Sequence, residues 1–171
     1  MKRIQKIQAF SAAALTCAAL AGCGAAVDPE QSEEGASIYH TDSTLTGCHG
    51  AASSSIPSSG MYYLTTFGGP GDSQPMSCGS NTNNGTWYYA ASRQRYGCRS
   101  RIRIEANGRC VVAQTDDYGP DVCVENAAGG PIIDASPMVA RYLFNQSEVG
   151  WSERRRIKVT KVSSTTKLGP C

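Results

Sequence analysis

The sequence predicts a mainly β domain that disulfide bonds stabilise. Short runs of aromatic and β-branched residues are separated by stretches rich in glycine and asparagine, as expected for strands joined by turns. One segment, 99–104, alternates polar and apolar residues with the period of a half-buried strand. Six of the eight cysteines lie from Cys48 onward, and an even set without paired CxxC spacing favours three disulfides over a zinc site.

The first half of this domain is expected to contain two strands. Residues 61–67 are aromatic and β-branched, and the Gly-Gly-Pro-Gly sequence of 68–71 ends the run. A polar loop should continue to residue 85. Residues 86–90 then predict a short strand or sheet edge.

The middle of the domain is expected to be a β-hairpin. In 99–104 the two isoleucines fall on one face and the arginines on the other. Asn107 and Gly108 are typical of a two-residue hairpin turn, so 110–115 should return as the partner strand. A loop is expected over 116–130.

The last part combines a strand, a helix and a final strand. Residues 132–133 should be a short buried strand. Ser136 and Pro137 are a favourable N-cap and first-position pair for a helix that reaches about residue 145. Residues 155–162 alternate again, which predicts a closing strand.

The N-terminus has the features of an export signal. Bases precede an apolar stretch over 9–20, which is too short to span a bilayer. The Leu-Ala-Gly sequence before Cys23 resembles the bacterial lipobox, so we expect residues 1–22 to be removed and the cysteine to carry lipid. Gly24 follows in place of aspartate, which resembles the outer-membrane type of Gram-negative lipoprotein. The sequence therefore predicts an exported protein that is anchored to a membrane through lipid.

Composition divides the rest of the chain into three parts. Residues 23–60 are expected to be a lipidated N-terminus and flexible acidic tether, 61–163 the β domain and 164–171 a tail that ends in Cys171. Residues 24–47 hold five acids and no base, whereas 48–171 hold thirteen bases and nine acids. This small basic excess fits a partner with carboxylates or phosphates and is too weak to indicate nucleic acid.

Three short motifs resemble the double-psi β-barrel of rare lipoprotein A and the expansins. They are Ala-Asn-Gly-Arg-Cys-Val-Val at 106–112, Asp-Tyr-Gly-Pro at 117–120 and Ile-Ile-Asp-Ala-Ser at 132–136. Their order and chemistry match the family over about 61–162. The resemblance implies a six-stranded double-psi barrel with one or two short helices and a groove for glycan.

The same resemblance implies an acidic site in the groove. Asp117 is the candidate general acid, because a carboxylic acid in a partly dry groove can hold the proton that a leaving oxygen needs. Asp134 is the supporting carboxylate. A lytic transglycosylase can work with one such acid, and neither a cofactor nor a metal is implied. Peptidoglycan or another wall glycan is the expected partner.

Two departures favour a non-catalytic alternative. Ser92 stands where the rare lipoprotein A enzymes have histidine. The first strand carries Thr65 and Thr66 and no acid, an arrangement that resembles expansin more than the endoglucanases. Together with Tyr118 and Trp87, whose rings can stack on sugars, these residues fit simple glycan binding or wall loosening.

Three points stay open on the sequence alone. A one-residue register slip would bring Asp116 into the groove in place of Asp117. A protease inhibitor on a similar barrel would use 121–130 as its reactive loop. Six cysteines allow 15 connectivities, and the preferred set joins Cys48 to Cys171, Cys78 to Cys98 and Cys110 to Cys123.

Overall fold

A computed structural model of the chain describes residues 50–69, 71–72, 74–82, 87 and 89–171. Within these ranges it contains strands, three short helices and a 3-10 turn at Trp151–Glu153. The strands are β1 Met61–Thr66, β2 Tyr89–Ala91, β3 Arg101–Ala106, β4 Arg109–Asp117, β5 Ile132–Ala135, β6 Arg155–Val162 and β7 Gly169–Pro170. The helices are α1 Arg93–Tyr96, α2 Val122–Ala128 and α3 Pro137–Phe144.

Six of the strands form a closed ring. Their order is β2-β5-β1-β6-β3-β4, and β2 pairs back onto β4, while β7 adds to the outer edge of β4. The pairs β1–β5 and β2–β4 are parallel, and the other pairs of the ring are antiparallel. The predicted mainly β, six-stranded barrel is confirmed, with three described helices where one or two were expected.

The barrel interior is filled by alternate residues of its strands. Ile102 and Ile104 of β3 are fully buried, and Ile157 and Val159 of β6 are nearly so, as the two-residue alternation predicts. They pack with side chains from other strands and from α3, including Tyr62, Leu64, Val111, Ala113, Ile133, Val139 and Leu143. This core fixes which face of each strand points outward.

The central hairpin has the predicted turn. β3 and β4 pair from Arg101 to Ala106, and Asn107 and Gly108 have φ angles of 51° and 71°. This left-handed geometry suits asparagine and glycine and matches the twist of the strands. β4 continues to Asp117, two residues beyond the expected end.

The helix α3 is confirmed and has the expected cap. Ser136 accepts a hydrogen bond from the backbone N–H of Val139, and Pro137 begins the helix. The loop expected over 116–130 is wrong in part, since Val122–Ala128 form α2. The buried Glu125 holds this helix against Arg95 through an ion pair of 2.7 Å. The segment proposed as a protease-reactive loop is therefore largely helical and fixed to the body.

The disulfide prediction is partly confirmed. Cys78 bonds to Cys98 as expected. Cys110 bonds to Cys171, so the pairs Cys110–Cys123 and Cys48–Cys171 are wrong. The cause is β7, which pairs beside Val111 and Val112 and brings the C-terminal residue to the start of β4. Cys123 is also disulfide-bonded, and Cys48 lies outside the described residues.

Both ends of the described chain pack on the barrel. Residues 50–60, which the sequence placed in the tether, contact it: Ala52 bridges Asp121, and Ser55 accepts a 2.8 Å hydrogen bond from Arg95. Residues 1–49, including the export signal and Cys23, lie outside the described residues. Among the described helices, none has both the length and the apolar character to cross a bilayer.

Candidate functional site

Two carboxylates are brought into one row across four adjacent strands. Asp117 of β4 is in register with Ala91 of β2, Ala91 with Asp134 of β5, and Asp134 with Thr65 of β1. We call these four residues the carboxylate row. Strands lie about 4.8 Å apart, so the Cα atoms of the two aspartates are about 10 Å from each other.

The carboxylate row lies on the outside of the barrel. The residues that precede it on three of the strands, Leu64, Ala90 and Ile133, are fully buried members of the core. Because successive side chains of a strand point to opposite faces, the next residues point away from the interior. The row is thus positioned on an outer wall made of β4, β2, β5 and β1.

Asp134 has the environment of a proton donor near neutral pH. Its Oδ1 accepts a hydrogen bond of 2.8 Å from the Thr65 hydroxyl. The pKa of Asp134 is raised to about 7, mainly by burial and also by the Asp117 carboxylate, while the Thr65 hydrogen bond opposes the shift. A carboxyl of this kind holds its proton at pH values where ordinary aspartates are ionised.

Asp117 is held by backbone N–H groups. Its Oδ1 accepts hydrogen bonds of 2.8 Å from Ser77 and from Tyr118. The β2–β4 register skips Asp116 at this point, since Ala90 pairs with Thr115 and Ala91 with Asp117. The irregularity turns Asp117 toward the outer wall.

Asp116 lies beneath a loop and away from the row. It is fully buried, and its Oδ1 accepts a 2.7 Å hydrogen bond from Gln114. Its backbone oxygen accepts from Cys78 of the covering loop. Burial raises the pKa of the Asp116 carboxyl above its ordinary value. Of the two alternatives left by the sequence, Asp117 is the one in register with Asp134.

The covering loop contributes a contact that sequence reasoning missed. Cys78 is bonded to Cys98, and its neighbour Ser77 donates its N–H to Asp117. The disulfide therefore fixes the loop beside the carboxylate. No sequence motif signals this role, because Ser77 acts through its backbone and lies 40 residues from its partner.

The other polar candidates are divided between the site and the interior. Thr65 contacts Asp134, whereas Thr66 accepts a 2.9 Å hydrogen bond from Val149 and so fixes the segment before the 3-10 turn. Ser92 donates its N–H to the Asp117 carbonyl at 3.1 Å. The Ser92 side chain is 1% exposed, so its hydroxyl is not accessible to a ligand.

Two exposed aromatic residues flank the carboxylate row. Tyr118 follows Asp117 directly and is 39% exposed; its hydroxyl accepts a hydrogen bond from Ala52, and Arg93 lies 5.3 Å from its ring centre. Trp87 is 47% exposed, and its carbonyl accepts from the Ser136 hydroxyl at the end of β5.

Acidic side chains are concentrated around the row. Burial raises the pKa of the Tyr89 hydroxyl, and the carboxylates of Asp72, Asp134 and Asp117 raise it further. These three acids therefore lie near one side chain of β2. Across the described ranges, no cluster of three or more histidine, cysteine or acidic side chains is arranged to hold a metal ion.

A separate cavity of about 480 Å³ is lined by residues that hold segments of the fold together. Arg95 and Glu125 line it, and they are 2% and 9% exposed as side chains. Arg95 also donates to the carbonyls of Ser55 and Ile132, and Glu125 accepts from the N–H of Ile132. Through these bonds, the Arg95–Glu125 pair holds the N-terminal segment, α2 and β5 together.

Comparison with known proteins identifies the family of the chain. The model of the AlyA family, described as Lysozyme A, matches residues 52–171, which include the carboxylate row and the barrel. The chain belongs to the Lysozyme A family. The match begins at Ala52, which bridges Asp121, and ends at Cys171, which bonds to Cys110.

Members of the Lysozyme A family from Dictyostelium discoideum are similar to this chain. Lysozyme A is 37% identical over 126 residues, which cover 72% of this chain and 67% of the relative. Lysozyme B is 36% identical over the same coverage. Lysozyme D is 47% identical over 62 residues, covering 36% of this chain and 23% of its own length. The family of the chain is thus Lysozyme A, where the motifs had suggested rare lipoprotein A.

Proposed function

We propose that this protein cleaves the glycan of a bacterial cell wall, with Asp134 as the proton donor. The observation that carries the proposal is the Asp134 carboxyl, whose pKa of about 7 allows it to deliver a proton near neutral pH. Relatives that bear the name lysozyme, which denotes a glycan-cleaving enzyme, support the same class of reaction. The two parallel strand pairs support the double-psi form of the barrel.

This proposal moves the acid role from Asp117 to Asp134. The sequence assigned that role to Asp117 on its motif position. Burial of Asp134 favours the protonated form that a proton donor needs. Asp134 is therefore assigned as the acid, and Asp117, which two backbone N–H groups hold in position two strands away, is assigned as the base.

Hydrolysis with inversion is the reaction that the row supports best. Inverting glycosidases hold acid and base about 6.5–9.5 Å apart to admit a water molecule. A Cα separation of about 10 Å across two strand spacings is compatible with this range. In the proposed step, Asp134 protonates the glycosidic oxygen as its bond to the anomeric carbon breaks. Asp117 takes a proton from the water whose oxygen bonds to that carbon.

A lytic transglycosylase is the second candidate, because it also needs a proton donor with the raised pKa of Asp134 but does not need Asp117 as a base. The 6-hydroxyl of the sugar would replace water as nucleophile and give an anhydro product. Asp134 would still protonate the leaving oxygen. Trp87 and Tyr118 would contact the glycan on either side of the row.

Product analysis tests these proposals. Purified peptidoglycan sacculi are incubated with the wild type, Asp134→Asn, Asp117→Asn and, as a control, Glu148→Gln, which changes an exposed acid outside the row. We expect soluble muropeptides with reducing ends, a loss of about 10²–10⁴-fold in rate for Asp134→Asn, and no change for Glu148→Gln. Anhydro ends that persist in Asp117→Asn would assign the second reaction. An absence of release by the wild type would contradict both and favour a glycan-binding protein.

We further propose that the protein is exported and anchored by lipid on Cys23. The support is the sequence of the first 23 residues, in which the apolar stretch ends in Leu-Ala-Gly-Cys. Metabolic labelling with palmitate in the bacterium should give a labelled product that partitions into the membrane fraction. Cys23→Ala should abolish the label. Labelling that persists in this variant would contradict the assignment.

A further inference from the structure

The outer surface of β3 and β6 presents a group of basic side chains. Ile102 and Ile104 of β3, like Ile157 and Val159 of β6, point into the core, so the residues between and beside them point outward. The outward bases are Arg101, Arg103, Arg156 and Lys158. We call these four residues the basic wall.

The basic wall keeps most of its charge. Glu105 is the acid on the same outer face of these two strands, and it pairs with Arg103 at 2.9 Å. Arg101 donates to the Thr166 carbonyl, a neutral partner. Arg156 and Lys158 are exposed, and their partners on β1 are the uncharged Tyr63 and Met61. On β3, Glu105 is the register partner of Lys158, so this one acid lies beside both Arg103 and Lys158. Four bases and one acid leave a net charge of +3 on this face.

The four charges form a continuous strip. Arg101 and Arg103, like Arg156 and Lys158, are two residues apart on one strand, or about 6.6 Å, and Arg103 is diagonal to Lys158 across strands about 4.8 Å apart. Each base thus lies within about one Debye length of the next, about 8 Å at physiological salt, while Arg101 and Arg156 at the two ends are about 20 Å apart. An anionic polymer that lies along the strip meets consecutive positive charges.

The basic wall lies on the opposite side of the barrel from the carboxylate row. In the ring order β2-β5-β1-β6-β3-β4, β6 is opposite β2 and β3 is opposite β5. The centre of the carboxylate row, Ala91 of β2 and Asp134 of β5, is therefore opposite the basic wall, whereas Asp117 is at the edge of the row on β4, which also pairs with β3. The charge of the domain is thus segregated between two walls, and one rigid barrel connects them.

We propose that the basic wall is a second binding surface for peptidoglycan and recognises the carboxylates of its peptides. This inference rests on the proposed function for the identity of the polymer. A glycan strand in the carboxylate row is neutral along its sugars, whereas the attached peptides carry carboxylates. In a cross-linked mesh, a neighbouring strand can contact the opposite wall while the first strand occupies the row. Two weak contacts on one polymer raise the overall affinity without a stronger site.

A pull-down with purified sacculi tests the basic wall. The Asp134→Asn variant serves as background, so that binding is measured without cleavage. Into it we introduce Arg156→Glu with Lys158→Glu, or Arg141→Glu with Lys167→Glu as the matched control. Arg141 and Lys167 are exposed bases outside β3 and β6, so both pairs change the net charge equally. Arg156→Thr with Lys158→Thr removes charge with β-compatible residues, in case the reversed pair disturbs folding.

The basic-wall pair should lower the affinity for sacculi about tenfold and flatten its salt dependence. The control pair should stay within about twofold of the background. Conversion of the sacculus carboxylates to neutral amides should weaken binding of the background protein. The background protein and the basic-wall variant should then bind the amidated sacculi equally weakly. Equal losses in both pairs, or unchanged binding to amidated sacculi, would overturn the proposal.

The same variants separate this inference from the proposed function. For the cleavage assay, the Arg156→Glu and Lys158→Glu substitutions are placed in the protein that retains Asp134. Cleavage of a short uncharged chitin oligosaccharide should be the same with and without them. Cleavage of sacculi should fall in parallel with binding. If neither substrate is cleaved by the wild type, the pull-down still reports whether the basic wall binds carboxylates. Loss of oligosaccharide cleavage in the basic-wall variant would contradict the separation of the two walls.

Discussion

Thr65 and Asp134 are register partners on the parallel strands β1 and β5, and a 2.8 Å hydrogen bond joins their side chains. The bond stabilises the ionised carboxylate and so opposes the effect of burial on its pKa. Thr65 is 8% exposed, which keeps water from replacing it easily. Through this contact, a residue of the first strand lowers the pKa of the proposed proton donor.

Thr65→Val should raise the pKa of Asp134 and shift the alkaline limb of the pH–activity profile to higher pH. Valine has nearly the same shape and lacks the donor. Thr66→Val is the matched control, because its hydroxyl contacts Val149 and not the carboxylate row. The profile of sacculus cleavage against pH measures the effect. A limb that stays in place in Thr65→Val, or moves equally in Thr66→Val, would refute this role.

Asp134 should also make stability depend on pH. Its pKa is about 7 in the folded state against an ordinary value of 3.8, so the folded protein binds more protons than the unfolded chain between these values. Stability contributed by this group is therefore full below about pH 4 and is lost as pH rises toward 7. Asp134→Asn should lose less thermal stability than the wild type between pH 4 and pH 8. Parallel changes in Tm across this range would contradict the assignment.

Removing the Cys78–Cys98 disulfide should impair the site as well as the fold. The bond closes a 20-residue loop and should contribute roughly 3 kcal/mol to stability. Its loss frees the loop that places the Ser77 N–H on Asp117. The variant with both cysteines replaced by serine should therefore show a lower kcat at temperatures where it remains folded.

The Cys110–Cys171 disulfide provides the matched comparison. It links the start of β4 to the chain terminus, seven residues along the strand from Asp117, or about 23 Å. Replacing both of its cysteines should lower stability by roughly 4 kcal/mol and leave kcat unchanged while the protein stays folded. Equal effects of the two replacements on kcat would show that Ser77 has no special role.

Breaking the buried Arg95–Glu125 pair should be costly. Arg95 Nη2 lies 2.7 and 2.8 Å from the two carboxylate oxygens, in a setting nearly closed to water. Glu125→Gln removes the negative charge and leaves the guanidinium uncompensated, which should lower the free energy of unfolding by about 3 kcal/mol. Adding Arg95→Met should recover part of the loss. Chemical denaturation measures this, and strictly additive losses would contradict a direct coupling.

The local structure was largely predictable from neighbouring residues. The alternation around Ile102 and Ile157, the Asn107–Gly108 turn and the Ser136 cap each depend on short-range geometry, and each is found in the fold. The helix α2 was missed although Asp121 and Gly129 stand at its ends, since seven residues are too few to show a helical period. Its stability comes from Glu125 and Arg95, which are 30 residues apart.

The strands, the central hairpin and the capped helix could be predicted from side-chain period and turn chemistry, which act within a few residues. The barrel and the two candidate acids were predicted from the resemblance of short motifs to a known family. Neither source could predict that Cys110 bonds to Cys171, that Asp117 and not Asp116 joins the row, or that the pKa of Asp134 is raised. These outcomes depend on strand pairing and burial between distant segments. Solvent exclusion and nearby charge, which set the pKa of a carboxyl, are properties of that packing.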